Sequence, residues 1–328
     1  MHSAMSELPR AASIREVGPR DGFQNEPEVI PTERKIELID ALARTGVRRL
    51  EVTSFVRADV IPQLADAADV LAGIDVPREV SVSVLIPNER GLDAALELRE
   101  RIATGAGADA PGTGRARPAF DEVNVFMSAS ETHNRKNVNR SIGESLAGLE
   151  TVLARARAAG LRCEAVISTS FGCPYEGHVP HERVLELAAR LRDAGAQEIG
   201  FGDTTGMANP RQVREFFTIA GDWLGDAVEL TAHFHNTRGQ GLANVLAALD
   251  VGVQSFESSF GELGGCPVPA GATGNIASED LVSMLHEMGI ETGIDLGALL
   301  ACARRVQEIL GRPLGSHTLV AGPVDWRG

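Results

Sequence analysis

The chain has 328 residues, of which 43% are hydrophobic and 23% charged, and a formal net charge of −14. That composition is ordinary for a soluble globular protein, and α/β barrels of this length are common as single domains. The acidic excess argues against nucleic acid or an anionic membrane as partner, so an anionic substrate must meet a local basic patch. No run approaches the ~18 apolar residues a membrane helix needs. The opening MHSAMSELPRAAS has no apolar signal-peptide core. Cys163, Cys173, Cys266 and Cys302 form no CxxC pair, so a reducing, cytoplasmic setting is expected. Lysine occurs only at positions 35 and 136.

In chain order, strand-like and helix-like segments alternate. A first strand over Ile14–Val17 leads into the loop GPRDGFQNEP and a helix from Thr32 to about Thr45, closed by Gly46. Strand two, Arg48–Val52, is followed by an Ala/Leu-rich helix to about Leu71. Strand three, Glu79–Ile86, alternates valines with polar residues and precedes a helix over Glu89–Ile102. Residues 103–119, ATGAGADAPGTGRARPA, lack periodicity and read as a flexible insertion, because the alternation resumes behind them. Strand four is Glu122–Phe126, with SASETHNRKNVNR read as loop and a helix over Ser141–Ala159. Strand five is Arg162–Ser168, and its helix runs from His181 to Ala194. Strand six, Glu198–Phe201, pairs with a helix over Pro210–Leu224. Strand seven ends in His233 and His235, before a helix over Gln240–Asp250. Strand eight, Gln254–Ser258, is followed by helices over Ser278–Met288 and Leu296–Leu310 and a loose tail.

Eight such units predict a (β/α)8 TIM barrel with an additional C-terminal helix, one catalytic domain over 1–328. A doubly wound open sheet is the alternative, weakened because no GxGxxG follows the first strand. A TIM barrel carries its active site at the C-terminal ends of the strands. The chemistry-bearing residues fall there: Arg20 and Asp21 after strand one, Glu51 in strand two, and Arg135 and Lys136 after strand four. Asp203 closes strand six, and Cys266 and Asn275 lie in the glycine-dense loop after strand eight. Alternation puts His233 and His235 on one face, opposite Val228, Leu230, Ala232 and Phe234. The Asp21 carboxylate, two imidazoles and the Asn275 amide oxygen make a mixed N/O shell suited to Mg²⁺ or Mn²⁺ rather than to a closed, thiolate-rich zinc site.

The segments EVGPRDGFQNE, RRLEVTSFV, FGCPYEG, GFGDTTG, HFHNTRGQGLANVLAALDVG and GGCPVPAGATGNIASEDLVSML together resemble the 3-hydroxy-3-methylglutaryl-CoA lyase family, over about Ile14 to Leu310. The resemblance implies metal-dependent cleavage of an acyl-CoA to acetyl-CoA and acetoacetate, as in leucine degradation and ketone body metabolism, by an enzyme expected to be a homodimer. It makes Asp21, His233, His235 and Asn275 the metal ligands, and Arg20, Glu51 and Cys266 catalytic. Such chemistry needs a base for the C3 hydroxyl, with Asp21 and His233 both in range, and a cation for the enolate oxygen, which Arg20 supplies. Glu51 would orient Arg20, and Cys266 would protonate the acetyl-CoA enolate. Arg135 and Lys136 are candidates for coenzyme A phosphates, and Asp203 for support behind the ligands.

Rivals include a Claisen-condensing synthase of the isopropylmalate or homocitrate kind, which typically lacks the loop cysteine, and a non-catalytic barrel binding protein. A biotin-dependent carboxyltransferase would want a lysine on strand five, RCEAVIS, which has none. Where the family carries HCHDTYGQA, this chain has HFHNTRGQG. Arg238 is accordingly expected to touch substrate, through a carboxylate or phosphate, or else to bridge Glu262.

Overall fold

The computed structural model describes residues 8–104, 118–265 and 274–326. Eight parallel strands close into a barrel in the order β1 to β8: Ser13–Glu16, Arg49–Ser54, Ser81–Leu85, Glu122–Ser128, Arg162–Ser168, Glu198–Asp203, Glu229–Phe234 and Ser255–Ser258. Closure is made by β1 against β8, from Ser13 opposite Ser255 to Glu16 opposite Ser258. The helices are α1 (Thr32–Leu42), α2 (Ala67–Gly73), α3 (Glu89–Thr104), α4 (Glu131–Val138), α5 (Ile142–Ala158), α6 (His181–Asp193), α7 (Pro210–Leu224), α8 (Gly241–Leu249), α9 (Ser278–Glu287), α10 (Leu296–Leu310) and α11 (His317–Ala321).

Strand alternation builds the two layers. Outward Val123, Val125 and Met127 of β4 pack in the apolar shell with Leu146, Leu149 and Leu153 of α5, all buried. Inward positions carry most of the charged and polar side chains, with Phe126 and Val166 among them at the cavity, and they stack in tiers as the pleat requires. Helix starts are set by local chemistry. Ser141 and Glu144 form a reciprocal capping box on α5, and Asn209 caps α7 ahead of Pro210.

Two helices replace expected loop. SASETHNRKNVNR contains α4, capped by Ser130; its polarity hid it, since only His133 and Asn134 bury their side chains. The tail contains α11, capped by Ser316 and tied down by Asp280, which accepts from the Ser316 hydroxyl and the backbone N–H groups of His317 and Thr318. Strand β6 extends two residues further than expected, to Asp203. Residues 103 and 104 of the expected insertion complete α3, and 105–117 lie outside the described residues.

Candidate active site

The site starts from β1. Directly after it, Gly18–Gly22 makes one wide turn in which the Val17 carbonyl accepts from Arg20 N at 3.1 Å and Asp21 N at 2.7 Å. A Cβ at Gly18 would stand 2.4 Å from the Phe260 ring, so glycine alone permits the approach. The turn aims Arg20 and Asp21 into a cavity of about 470 Å³ at the strands' C-terminal ends, which Glu51, Asn124, His233, His235 and Glu257 also line.

Arg20 is held from two sides. Its Nε donates to Glu51 Oε2 at 2.5 Å and its Nη1 to Asp21 Oδ1 at 2.6 Å, while Glu51 Oε1 accepts from Asn124 Nδ2 at 3.0 Å. Burial disfavours the guanidinium charge, but Glu51 and Asp21 outweigh it and hold Arg20 protonated above the ordinary arginine range. Burial pushes the Glu51 carboxyl up, more than Arg20 lowers it.

Across the mouth, β7 delivers the histidines on one face. His233 Nδ1 meets Glu257 Oε2 at 2.8 Å, and the two Nε2 atoms of His233 and His235 approach to 3.1 Å. With Nδ1–H given to the carboxylate, His233 presents its Nε2 lone pair toward His235. Burial disfavours the imidazolium of His233, yet the Glu257 hydrogen bond and charge raise its pKa above the ordinary value. Burial works against the Asp21 carboxylate as well, but Arg20, the histidines and the Asn275 amide leave its pKa lowered. Asn275 Nδ2 donates to Asp21 Oδ2 at 2.7 Å and to the Leu263 carbonyl at 3.0 Å, whereas its buried Oδ1 has no donor among the described residues.

Oxygen and nitrogen donors of Asp21, His233 and His235 all lie within 4.8 Å of one another, and Asn275 adjoins them through its hydrogen bond to Asp21. A buried acceptor without a donor is costly unless something positive meets it. Carboxylate, amide oxygen and imidazole together suit a divalent ion of the Mg²⁺ or Mn²⁺ kind, so these residues fit the metal.

Other expected residues land elsewhere. Lys136 lines the cavity, its ammonium 5.1 Å from the Tyr175 ring centre, but Arg135 pairs with Glu131 at 2.7 Å on the outer surface of α4. Arg238 does not line the cavity. Its Nη1 donates to the carbonyls of Thr205 and Gly206 at 2.9 and 2.7 Å. Asp203 is buried below that same loop, where its Oδ1 accepts from Met207 N and Ala208 N; burial pushes its pKa up to about 7. Cys266 lies outside the described residues. Glu257, Asn124 and His133 enter the site without having been singled out from the sequence. Glu257 was within reach of the alternation rule, being an acidic residue at an inward position of strand eight.

The HMGL-like family pattern matches residues 11–306. The chain is 46% identical to hydroxymethylglutaryl-CoA lyase YngG of Bacillus subtilis (strain 168), over 95% of this chain and 97% of that protein. It is 42% identical to the mitochondrial hydroxymethylglutaryl-CoA lyase of Rattus norvegicus, over 97% and 92%. A solved HMG-CoA lyase from Acinetobacter baumannii, in complex with coenzyme A and 3-methylmalate, superposes with a TM-score of 0.86 at 37% identity, covering 98% of this chain and 97% of that one. With the barrel, the turn after β1 and the histidine pair in view, these likenesses place the chain in the HMGL-like family, alongside the hydroxymethylglutaryl-CoA lyases.

Proposed function

We propose that this chain is an oxo-acid lyase that cleaves 3-hydroxy-3-methylglutaryl-CoA to acetyl-CoA and acetoacetate. The observation that carries the reading is the meeting of Arg20 with Asp21, His233 and His235 in one cavity, with Asn275 hydrogen-bonded to Asp21, in a chain 46% identical to a hydroxymethylglutaryl-CoA lyase. Asp21, His233, His235 and Asn275 would hold Mg²⁺ or Mn²⁺. When bound, such an ion lowers the pKa of a coordinated hydroxyl and orients the substrate.

The chain's own groups do the rest. The C3 hydroxyl proton leaves to Asp21 or His233, the residues whose acceptor atoms converge there. As C2–C3 breaks, the bonding pair becomes a thioester enolate, and acetoacetate departs with the new C3 carbonyl. Arg20, kept protonated and aimed by Glu51, faces the enolate oxygen as its charge grows. Cys266 is proposed as the donor that returns a proton to C2, completing acetyl-CoA. Asp203 and Arg238 support the reaction from outside the cavity, by fixing the loop between β6 and α7. Lys136 offers positive charge to the coenzyme, and Arg135 adds to the field from the surface. The chain is proposed to work as one catalytic domain and as a homodimer.

Purified protein should release acetyl-CoA and acetoacetate from 3-hydroxy-3-methylglutaryl-CoA. Consumption of acetyl-CoA with a 2-oxo acid in place of cleavage would favour the condensing synthases instead.

A further inference from the structure

One buried titratable group in the cavity has no part in the scheme above. His133 sits in the first turn of α4 and lines the same cavity as the histidine pair, with 7% of its surface exposed. Its backbone is locked: His133 N donates to Ser130 Oγ, and the neighbouring Asn134 ties α4 to the end of β4 through Ser128 N and to α5 through Ser145 Oγ. Its ring is locked too, because Nδ1 meets Ser128 Oγ at 2.6 Å. With the Ser128 hydroxyl donating to Nδ1, the ring proton stands on Nε2. Burial lowers the pKa of this imidazole and keeps it neutral near pH 7.

Position assigns the task. The ligand cluster comes from β1, β7 and the segment after β8, whereas α4 follows β4, on the far side of an eight-stranded ring. A substrate with its acyl group at the cluster and Arg20 must send its coenzyme A arm across the cavity. The far wall carries Lys136, Asn137 and Tyr175, with the Tyr175 ring centre 6.4 Å from that of His133. The arm of coenzyme A is neutral there and offers amide carbonyls. We infer that His133 is a substrate-positioning residue whose Nε2–H donates to an amide carbonyl of the coenzyme A arm. This rests on the acyl-CoA reading above.

The test uses full-length, Mn²⁺-loaded protein, free coenzyme A in calorimetry, and two thioesters of the same hydroxy acid: the coenzyme A form and an S-ethyl form without amides. A neutral hydrogen bond of about 1–1.5 kcal/mol corresponds to roughly tenfold. His133→Ala should therefore raise the Kd for coenzyme A and the KM for its thioester about tenfold, with kcat within about twofold. The S-ethyl thioester should not respond to the substitution, and His133→Gln should recover part of the loss. Unchanged Mn²⁺ affinity and melting temperature would show that the fold is intact. If His133→Ala fails to fold, Ser128→Ala, which releases the tautomer, should still weaken coenzyme A about threefold. Active wild type with unaltered coenzyme A binding in the variants would overturn the inference alone, as would a kcat loss shared by both thioesters. Wild type that neither cleaves the thioester nor binds coenzyme A would overturn the acyl-CoA reading together with it.

Discussion

The two ends of the barrel interior handle charge in opposite ways. At the floor, Arg15, Arg49 and Arg162 mesh with Glu122, Glu164, Glu198 and Glu229. Arg15 meets Glu122 at 2.9 Å and Glu257 at 3.2 Å, Arg49 pairs with Glu198, and Arg162 meets Glu229 at 2.5 Å. Three guanidinium groups interleave there with four carboxylates, and the lattice plugs the barrel. At the mouth, acceptors converge: the Asp21 carboxylate and two imidazole nitrogens, with the Asn275 amide bound to Asp21. A floor whose arginines are each met by carboxylates of the same chain is structure, whereas a mouth that asks for a cation from outside is a site. Glu257 joins the two, reaching down to Arg15 and up to His233.

Breaking the floor should have the largest effect, and on stability alone. Arg49→Leu leaves the buried Glu198 and Glu122 short of a cation, so denaturant unfolding should show a loss of about 3–5 kcal/mol. Activity per folded molecule should stay near wild type. At the mouth, Arg20→Gln should lower kcat by about 10²- to 10³-fold with little change in denaturation midpoint, because the lost interaction matters most when the enolate forms. Lysine at that position should not restore the rate, since it cannot span Glu51 and Asp21 together.

Glu257→Gln tests the joint. It removes the carboxylate that fixes the His233 tautomer and should weaken Mn²⁺ binding by about 10- to 100-fold in calorimetry. Acid should do the same reversibly, because protonated imidazole cannot ligate. The folded-state pKa of His233 is raised, so the proton competes at a higher pH than it would for an unperturbed histidine. Affinity should be full above that pKa and fall as pH drops through it. Without Glu257 the fall should begin at lower pH. The smallest effect belongs to Arg238→Ala. Loss of two carbonyl contacts should loosen the loop after β6 and change kcat/KM by less than about tenfold, equally for all 3-hydroxyacyl-CoA substrates. A reordered substrate ranking would bring back a direct contact.

The sequence made the barrel and most of its mouth legible because strand alternation is a local rule. His233 and His235 declare their shared face within three residues, and β5, α7 and α10 begin and end where periodicity and capping put them. The same rule would have found Glu257 and Asn124 had it been applied to every inward position. Contacts set by three-dimensional closure were hidden. Asn124 meets Glu51 across 73 residues of chain, and Arg238 finds carbonyls over thirty residues behind it. Helix α4 was hidden for another reason: a short helix that buries only His133 and Asn134 has no apolar stripe to read.

The central claim is that the acceptors at the mouth are built to take a divalent cation, and that cleavage depends on it. The most direct measurement is acetyl-CoA release from 3-hydroxy-3-methylglutaryl-CoA by protein stripped with chelator, before and after Mg²⁺ or Mn²⁺ is added back. Stripped protein should release essentially none and recover on addition, with no recovery in His235→Ala. Full cleavage by metal-free protein would contradict the account.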